Sequence, residues 1–370
     1  MRFLACLWPY ALFGALVQSL QCAEPLVRKE WYFGQNLNMI VRLLTISTVR
    51  RSLSIEERSN YIAAVKCMQA KEPTSSKDTL PGATNRFEDF VGDHILQTVT
   101  QHFTGTFLAW HRLFLSDYEQ AIRECGFEGA QPYWDWSLDA EDLEASEVFD
   151  PESGFGGNGE WVPGTFEDPE EGIPVTAEGV PVSFDGRTGG GCIPNGPFAN
   201  MTIHMGPGAS TAYYEWCVRR DFMPQFFNES AHSNVISRLM LLPDFGQLTR
   251  QAELSVHGAG HPGVGGLYGT LTDTYASPLL TSNQAGDPLF YLHHTNLDRL
   301  WWSWQSRDLS TRLSDISGPV VANDWTNEVD RNVTLDDTVY VGTSNITTRT
   351  VKQLMDVREE LLCYTYEDLY

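Results

Sequence analysis

Seven of the nine histidines in this 370-residue chain fall into two groups: His94, His102 and His111, then His257, His261, His293 and His294. A lone imidazole on an apolar face is commonly a hydrogen-bonded core residue. Several of them placed among Phe, Leu and Trp carry a desolvation cost that a shared metal ion relieves jointly. His257 and His261, in His-Gly-Ala-Gly-His, stand one helical turn apart, so two ring nitrogens can aim at one ion. Zinc proteases share that spacing, but there a glutamate follows the first histidine as general base, whereas here the residue is Gly258. No cysteine adjoins either group in sequence, and no carboxylate falls at ligand spacing. The donor set is all imidazole, which suits copper, zinc or iron, and two sets of three imply two metals.

Such ligands need rigid elements behind them. Residues 55–70 read as a helix, with Tyr61, Val65 and Met68 at helical spacing and Glu56 and Glu57 in the first turn, and a polar loop follows over 71–85. Phe107, His111, Phe114, Tyr118 and Ile122 step by three or four residues, which predicts a helix over 106–125 with His111 on its apolar face. Helical pattern returns at 231–240, at 248–257 and over 287–307, where Phe290, His294, Leu297, Trp301 and Trp304 share a stripe. Strands are short and peripheral, as at 338–341. The fold class is mainly α with long irregular loops and few short strands. Residues 139–207, rich in Gly, Pro, Asp and Glu, read as a Gly/Pro-rich excursion and not a second core. Residues 32–49 interrupt a charged helix approach and read as a local insertion or a retained intron.

Composition bounds the partners. Apolar residues at 42% and aromatics at 12% exclude wholesale disorder. With 25 Lys+Arg against 48 Asp+Glu, the net charge of -23 repels phosphate backbones and anionic membranes, so nucleic acid is not an expected partner. Met1-Arg2 and the apolar run to about Val17 read as a secretory signal peptide over 1–22, its end approximate. The mature protein is then secreted and extracellular, with no membrane segment left after the signal is removed. Loss of Cys6 leaves an even set of cysteines. Many pairings are open; the expected set is Cys67 with Cys125, Cys192 with Cys217, and Cys22 with Cys363. Sequons begin at Asn200, Asn228, Asn332 and Asn345.

The order of these motifs resembles tyrosinases and related polyphenol oxidases, in their short secreted fungal form. Asp93-His94, Gln101-His102-Phe103, Phe107-Leu108-Ala109-Trp110-His111-Arg112 and Gln131-Pro132-Tyr133-Trp134-Asp135-Trp136 look like the copper-A half. His257-Gly258-Ala259-Gly260-His261 and the run from Asp287 through His294 to Asp298-Arg299-Leu300-Trp301 look like the copper-B half. The resemblance runs from about Arg50 onward and implies one catalytic domain over 23–370, without a C-terminal shielding domain. It also implies a four-helix bundle holding a type-3 dinuclear site with two copper ions. Carried over residue by residue, His94, His102 and His111 bind one ion and His257, His261 and His294 the other. His293 is set aside because it is rotated by about a hundred degrees from the apolar stripe. Phe290 and Gly258 complete the surroundings, and Asp298, one turn after His294, is placed to orient a ligand imidazole or, in the plainer reading, to pair with Arg112 or Arg299.

The activity implied is oxidation of o-diphenols by dioxygen to o-quinones, extending to o-aminophenols and weakly to monophenols. Monophenol hydroxylation in the family is associated with an Asn just after the first copper-B histidine and a Glu that together hold a water, and here the Asn position is Gly258. Full tyrosinase activity, or an oxygen carrier of the haemocyanin kind, are the alternatives. Thr100 stands where some relatives carry a cysteine cross-linked to the second copper-A histidine, so His102 is expected to be held by packing alone. Dioxygen and small phenols are the expected partners, and nothing in the sequence sets an oligomeric state.

Overall fold

A cap begins the first long helix. Ser54 Oγ accepts from the Glu57 N–H at 3.1 Å while the Glu57 carboxylate accepts from the Ser54 N–H at 2.7 Å, a reciprocal pair that starts α1 (Ile55–Ala70). The computed structural model describes residues 22–31, 53–162, 186–206, 209–266, 285–343 and 346–370. Most of the leader, the segment 32–49, Leu280, Thr281 and Asn345 lie outside the described residues. After α1 come α2 (Arg86–Gln101), α3 (Phe107–Glu124), α4 (Pro224–Ala231), α5 (Ser233–Met240), α6 (Phe245–Ala252), α7 (Gly258–Gly265) and α8 (Leu289–Ser306). A π-helical turn, Glu253–His257, joins α6 to α7. His232 accepts from the Asn234 N–H at 3.2 Å as the cap of α5.

Helix α2 falls where the sequence showed no apolar stripe. Its inward face carries Glu88, Asp89, Asp93, Gln97 and Thr98 as well as Phe87, Phe90 and Val91. Each buried carboxylate there has backbone donors: Glu88 from Thr84 at 2.7 Å and His204 at 3.0 Å, Asp89 from Thr74 at 2.7 Å, and Asp93 from Gly342 at 2.8 Å. Polar residues so satisfied can face inward. Helix α8 departs from expectation in the other direction. It is buried on every side from Leu289 to Gln305, so its stripe is not its only inward face. Asp287, before its first turn, accepts from the Leu289 N–H at 3.0 Å and pairs with the fully buried Arg220 at 2.6 Å.

Strands are short two-residue to four-residue pairings at the periphery, as expected. β2 (Thr202–Ile203) pairs antiparallel with β3 (Trp216–Cys217), and β4 (Thr338–Val341) with β5 (Thr347–Thr350). β1 (Leu26–Arg28) runs parallel to β6 (Tyr364–Tyr366), with Leu26 opposite Tyr364. All three expected disulfides are present: Cys22–Cys363, Cys67–Cys125 and Cys192–Cys217. The second ties the end of α1 to the end of α3, and the third closes the excursion. Trp31, Trp110, Trp134, Trp136, Trp301 and Trp304 are fully buried in one continuous core. No helix among the described residues is long and apolar enough to cross a membrane.

Candidate metal centre

His94 projects from α2, His102 caps its C-terminal end, and His111 projects from α3. Between the last two the chain reverses through Phe103, whose φ of 55° is left-handed and unusual for a bulky residue. The Phe103 N–H donates to the buried Glu253 carboxylate at 2.7 Å, a link from this turn to the π-helical turn that ends at His257. Ring centroids of His94, His102 and His111 lie 5.1 to 5.8 Å apart.

Local backbone decides which nitrogen of each ring carries a proton. His111 Nδ1 lies 2.8 Å from Phe107 O and His102 Nδ1 3.0 Å from Thr98 O, and a carbonyl only accepts. Thr98 Oγ1 donates its own proton to His94 O at 2.7 Å, so it accepts from His94 Nδ1 at 3.4 Å. All three rings are therefore protonated at Nδ1 and present the lone pair of Nε2. A carbonyl or hydroxyl behind a ligand imidazole has this effect at metal sites generally. His102 is thus held by a hydrogen bond to its own helix, not by packing alone; Thr100 donates instead to Gln97 O at 3.0 Å.

In the second group, His257 ends the π-helical turn, His261 lies on α7, and His293 and His294 lie on α8. The Nε2 atoms of His261 and His294 approach to 3.0 Å, as two donors aimed at one ion would. Burial, and the charge that neighbouring His111, His293, His261 and His257 would carry, hold His294 well below the usual imidazole range, so it is neutral and its lone pair available. The four ligand atoms of this group, and likewise the three of the first, each lie within 4.8 Å of one another. The groups also touch: His111 stacks on His294 at 4.2 Å and His102 lies 5.7 Å from His257. Inward-facing, paired sets of imidazoles fit two borderline-soft metal ions side by side.

His293 is brought into the cluster, so rotation about the helix does not separate it from His294. Its chemistry does. The Trp136 indole N–H donates to His293 Nδ1 at 2.9 Å, and an indole nitrogen can only donate. The neutral ring then carries its proton on Nε2. His293 also packs flat against Gly260, where an added Cβ would stand 2.2 Å from its Cε1 and Nδ1.

Phe290 packs 4.1 Å from His294 and 4.9 Å from His94, wedged between the groups, and Phe107 does the same 4.9 Å from His257 and 4.8 Å from His111. Asp298 does not reach an imidazole by any hydrogen bond described. Its carboxylate takes Arg112 Nε at 2.5 Å, Arg28 Nη1 at 3.1 Å and the hydroxyls of Tyr364 and Tyr366 at 2.5 Å each, which is the ion-pair reading of that residue. Burial alone would raise its pKa; Arg112, Arg28 and the two hydroxyls outweigh it and hold the carboxyl below the usual range. Glu253, Thr98, Trp136 and Phe107 were not singled out as site residues in the sequence. For the first, the signal available in the sequence was a Glu one helical turn before His257.

Comparison with known proteins agrees with this geometry. Residues 84–307 match the family model described as the common central domain of tyrosinase. Tyrosinase P of Aspergillus terreus is 32% identical over 376 residues, covering 95% of this chain and 94% of its own. A tyrosinase-like protein of Diaporthe leptostromiformis, phomQ1, is 32% identical over 364 residues, covering 94% and 79%. The solved polyphenol oxidase of Thermothelomyces thermophila superposes with a TM-score of 0.75 at 32% identity, covering 93% of this chain and 89% of that one. The family match over 84–307, the relatives 32% identical over nearly the whole chain and the shared fold, together with two histidine groups able to hold metal, place the chain in the tyrosinase family of copper-dependent phenol oxidases, whose cofactor is a type-3 pair of copper ions.

Proposed function

We propose that this protein is a catechol oxidase, which uses dioxygen to convert o-diphenols, and o-aminophenols of the same shape, to o-quinones and hydroxylates monophenols only weakly. His94, His102 and His111 would hold one copper ion and His257, His261 and His294 the other. The bound pair supplies the two-electron exchange with dioxygen that closed-shell side chains do not offer. The rest falls to this chain's own residues. Thr98 and the Phe107 carbonyl keep the first three imidazoles in the ligand tautomer, and Trp136 keeps His293 out of the ligand set by holding its Nδ1 lone pair. Burial of all seven rings excludes bulk water from the reacting atoms.

Gly258 carries the choice of catechol oxidase over tyrosinase. A catechol brings a second hydroxyl and is readily oxidised, whereas a monophenol must first lose its proton beside the centre. Glu253 supplies a buried carboxylate one turn before His257, but Gly258 supplies no amide to hold a water against it, so only half of the expected base is present. Oxygen uptake by copper-loaded protein tests this with each monophenol run beside its o-diphenol and matching o-aminophenol. Fast diphenol turnover with slow, lagging monophenol turnover is expected; monophenol hydroxylation without a lag, at the diphenol rate, overturns it.

We infer that the protein is secreted. Three disulfides suit an oxidising compartment. The bond from Cys22 to Cys363 supports a signal peptide that ends before Cys22, slightly upstream of the approximate boundary, with one catalytic domain after it. Sequencing the secreted protein from its first residue tests both points.

A further inference from the structure

Access to the centre is uneven. His257 is 5% exposed, the most of the seven clustered histidines, the others lying between 0% and 2%. Gly258, beside it, is only half-buried. Among the described residues, a Cβ built on Gly258 would meet just one group, the ring of Phe226, with Cζ at 3.7 Å and Cε1 at 3.9 Å. That ring sits on α4, whose orientation is set by the next residue: Phe227 is fully buried, stacks on Trp134 at 5.5 Å and packs against Gly263. With Phe227 turned inward, Phe226 stays partly exposed on the flank. About one turn before Gly258, Leu254 is 63% exposed, so a large aliphatic side chain lies on the surface one turn from the ligand-bearing stretch.

We propose that Phe226 and Leu254 form an apolar lip on either side of Gly258 that selects neutral o-diphenols carrying an apolar group at ring position 4. This rests on the catechol oxidase reading above. With both hydroxyls directed at the two histidine groups, the far end of the ring and its substituent would point outward past His257 and Gly258, the more exposed edge of the cluster. An alkyl group there leaves water for the Phe226 ring and the Leu254 side chain, whereas a carboxylate must shed hydration against an apolar surface in a chain of net charge -23. Among the described residues only Phe226 borders Gly258, which leaves room for the substituent. Each methylene gained or lost in an apolar pocket changes discrimination by about tenfold or more, so a branched alkyl group gives a readable effect.

The test compares kcat and KM of copper-loaded wild-type, Phe226→Ala, Phe226→Leu and Leu254→Ser proteins on catechol, 4-tert-butylcatechol and 3,4-dihydroxybenzoate. Calorimetric affinities for benzoate and 4-tert-butylbenzoate, which are not turned over, are measured in parallel. Wild type should prefer 4-tert-butylcatechol to catechol and reject the carboxylate. Phe226→Ala should lower the tert-butyl preference by about tenfold, through KM, with kcat on catechol within about twofold, and should shrink the affinity ratio of the two benzoates equally. Phe226→Leu should keep most of the preference. If Phe226→Ala fails to fold, Leu254→Ser, at an exposed position, carries the same expectation. Preference and affinity ratios unchanged in both variants overturn the lip. No oxygen uptake by wild type on any o-diphenol overturns the catechol oxidase reading instead, and the benzoate ratios then still judge the lip.

Discussion

An extra methyl group on each of the two glycines in His257-Gly-Ala-Gly-His261 should have opposite effects. At Gly260 the new Cβ would lie 2.2 Å from His293 Cε1 and Nδ1 and 2.6 Å from its Cγ, too close for any real contact, and the ring cannot swing away without breaking its bond from Trp136. Replacing a helical glycine by alanine gains about 1 kcal/mol of propensity. Against this stand about 1–3 kcal/mol of overpacking and about 1–3 kcal/mol for leaving the buried indole N–H without its acceptor. Gly260→Ala should therefore lose about 1–5 kcal/mol. At Gly258 the only neighbour among the described residues is Phe226 at ordinary contact distance, so Gly258→Ala keeps its propensity gain, up to about 1 kcal/mol. Thermal unfolding of metal-free protein separates them: about 2 °C per kcal/mol for a chain of this size predicts a Tm lower by about 2–10 °C for Gly260→Ala and unchanged or slightly higher for Gly258→Ala. Adding His293→Ala to Gly260→Ala should cost much less than His293→Ala alone, because in that background removing the ring also relieves the clash. A Gly260→Ala protein that melts with wild type, or a Gly258→Ala protein that falls as far, refutes the packing described for this motif.

Four other outcomes follow from the same geometry. Gly258→Asn should raise the ratio of monophenol to diphenol turnover by about tenfold, part of the effect of a positioned base, with Glu253 as the carboxylate partner; an unchanged ratio in a protein with full copper content counts against Gly258 as the limit. By metal analysis, His111→Ala, His261→Ala and His294→Ala should each lose one copper and nearly all activity, while His293→Ala keeps two; loss of copper in His293→Ala would make it a ligand. Because Asp298 has its pKa held down in the folded state, its contribution is present above the usual carboxylate value of 3.8 and is lost as pH falls below it; Asp298→Asn should remove that acid-side dependence in denaturation curves and cost about 3–5 kcal/mol by leaving Arg28 and Arg112 short of a buried counter-charge. Glycopeptide mapping should find glycans at the exposed Asn200 and Asn332 but not at Asn228, whose Nδ2 donates to Ala140 O at 2.8 Å.

Much of the centre was legible because donor chemistry and spacing coincide. His257 and His261 are one turn apart on a short stretch of chain, and the helices carrying His111 and His294 announced themselves by apolar stripes. What could not be read depends on contacts between distant residues. Helix α2 hides because its inward face is polar, and those carboxylates are tolerable only once the Thr84, Thr74 and Gly342 amides arrive. The choice between His293 and His294 turns on an indole 157 residues away, and the clasp of Glu253 on Phe103 spans 150. Asp298 illustrates the opposite failure: helical spacing placed it near an imidazole, but two arginines and two tyrosines, none close in sequence, claimed the carboxylate first.

The pairing of β1 with β6 has a consequence for the order of assembly. Arg28, carried by β1, is wholly buried against Glu119 of α3 and Asp298 of α8, and the tyrosine hydroxyls that complete its surroundings come from β6. The Cys22–Cys363 bond over the same seam spans 341 residues. On a ribosome β6 emerges long after every histidine has been made, so α3 and α8, which hold His111 and His294, gain their common electrostatic anchor only near the end of synthesis. Metal loading should accordingly be a late event, following closure of the Cys22–Cys363 bond, and nascent chains arrested before residue 360 should bind copper poorly although they contain every candidate ligand.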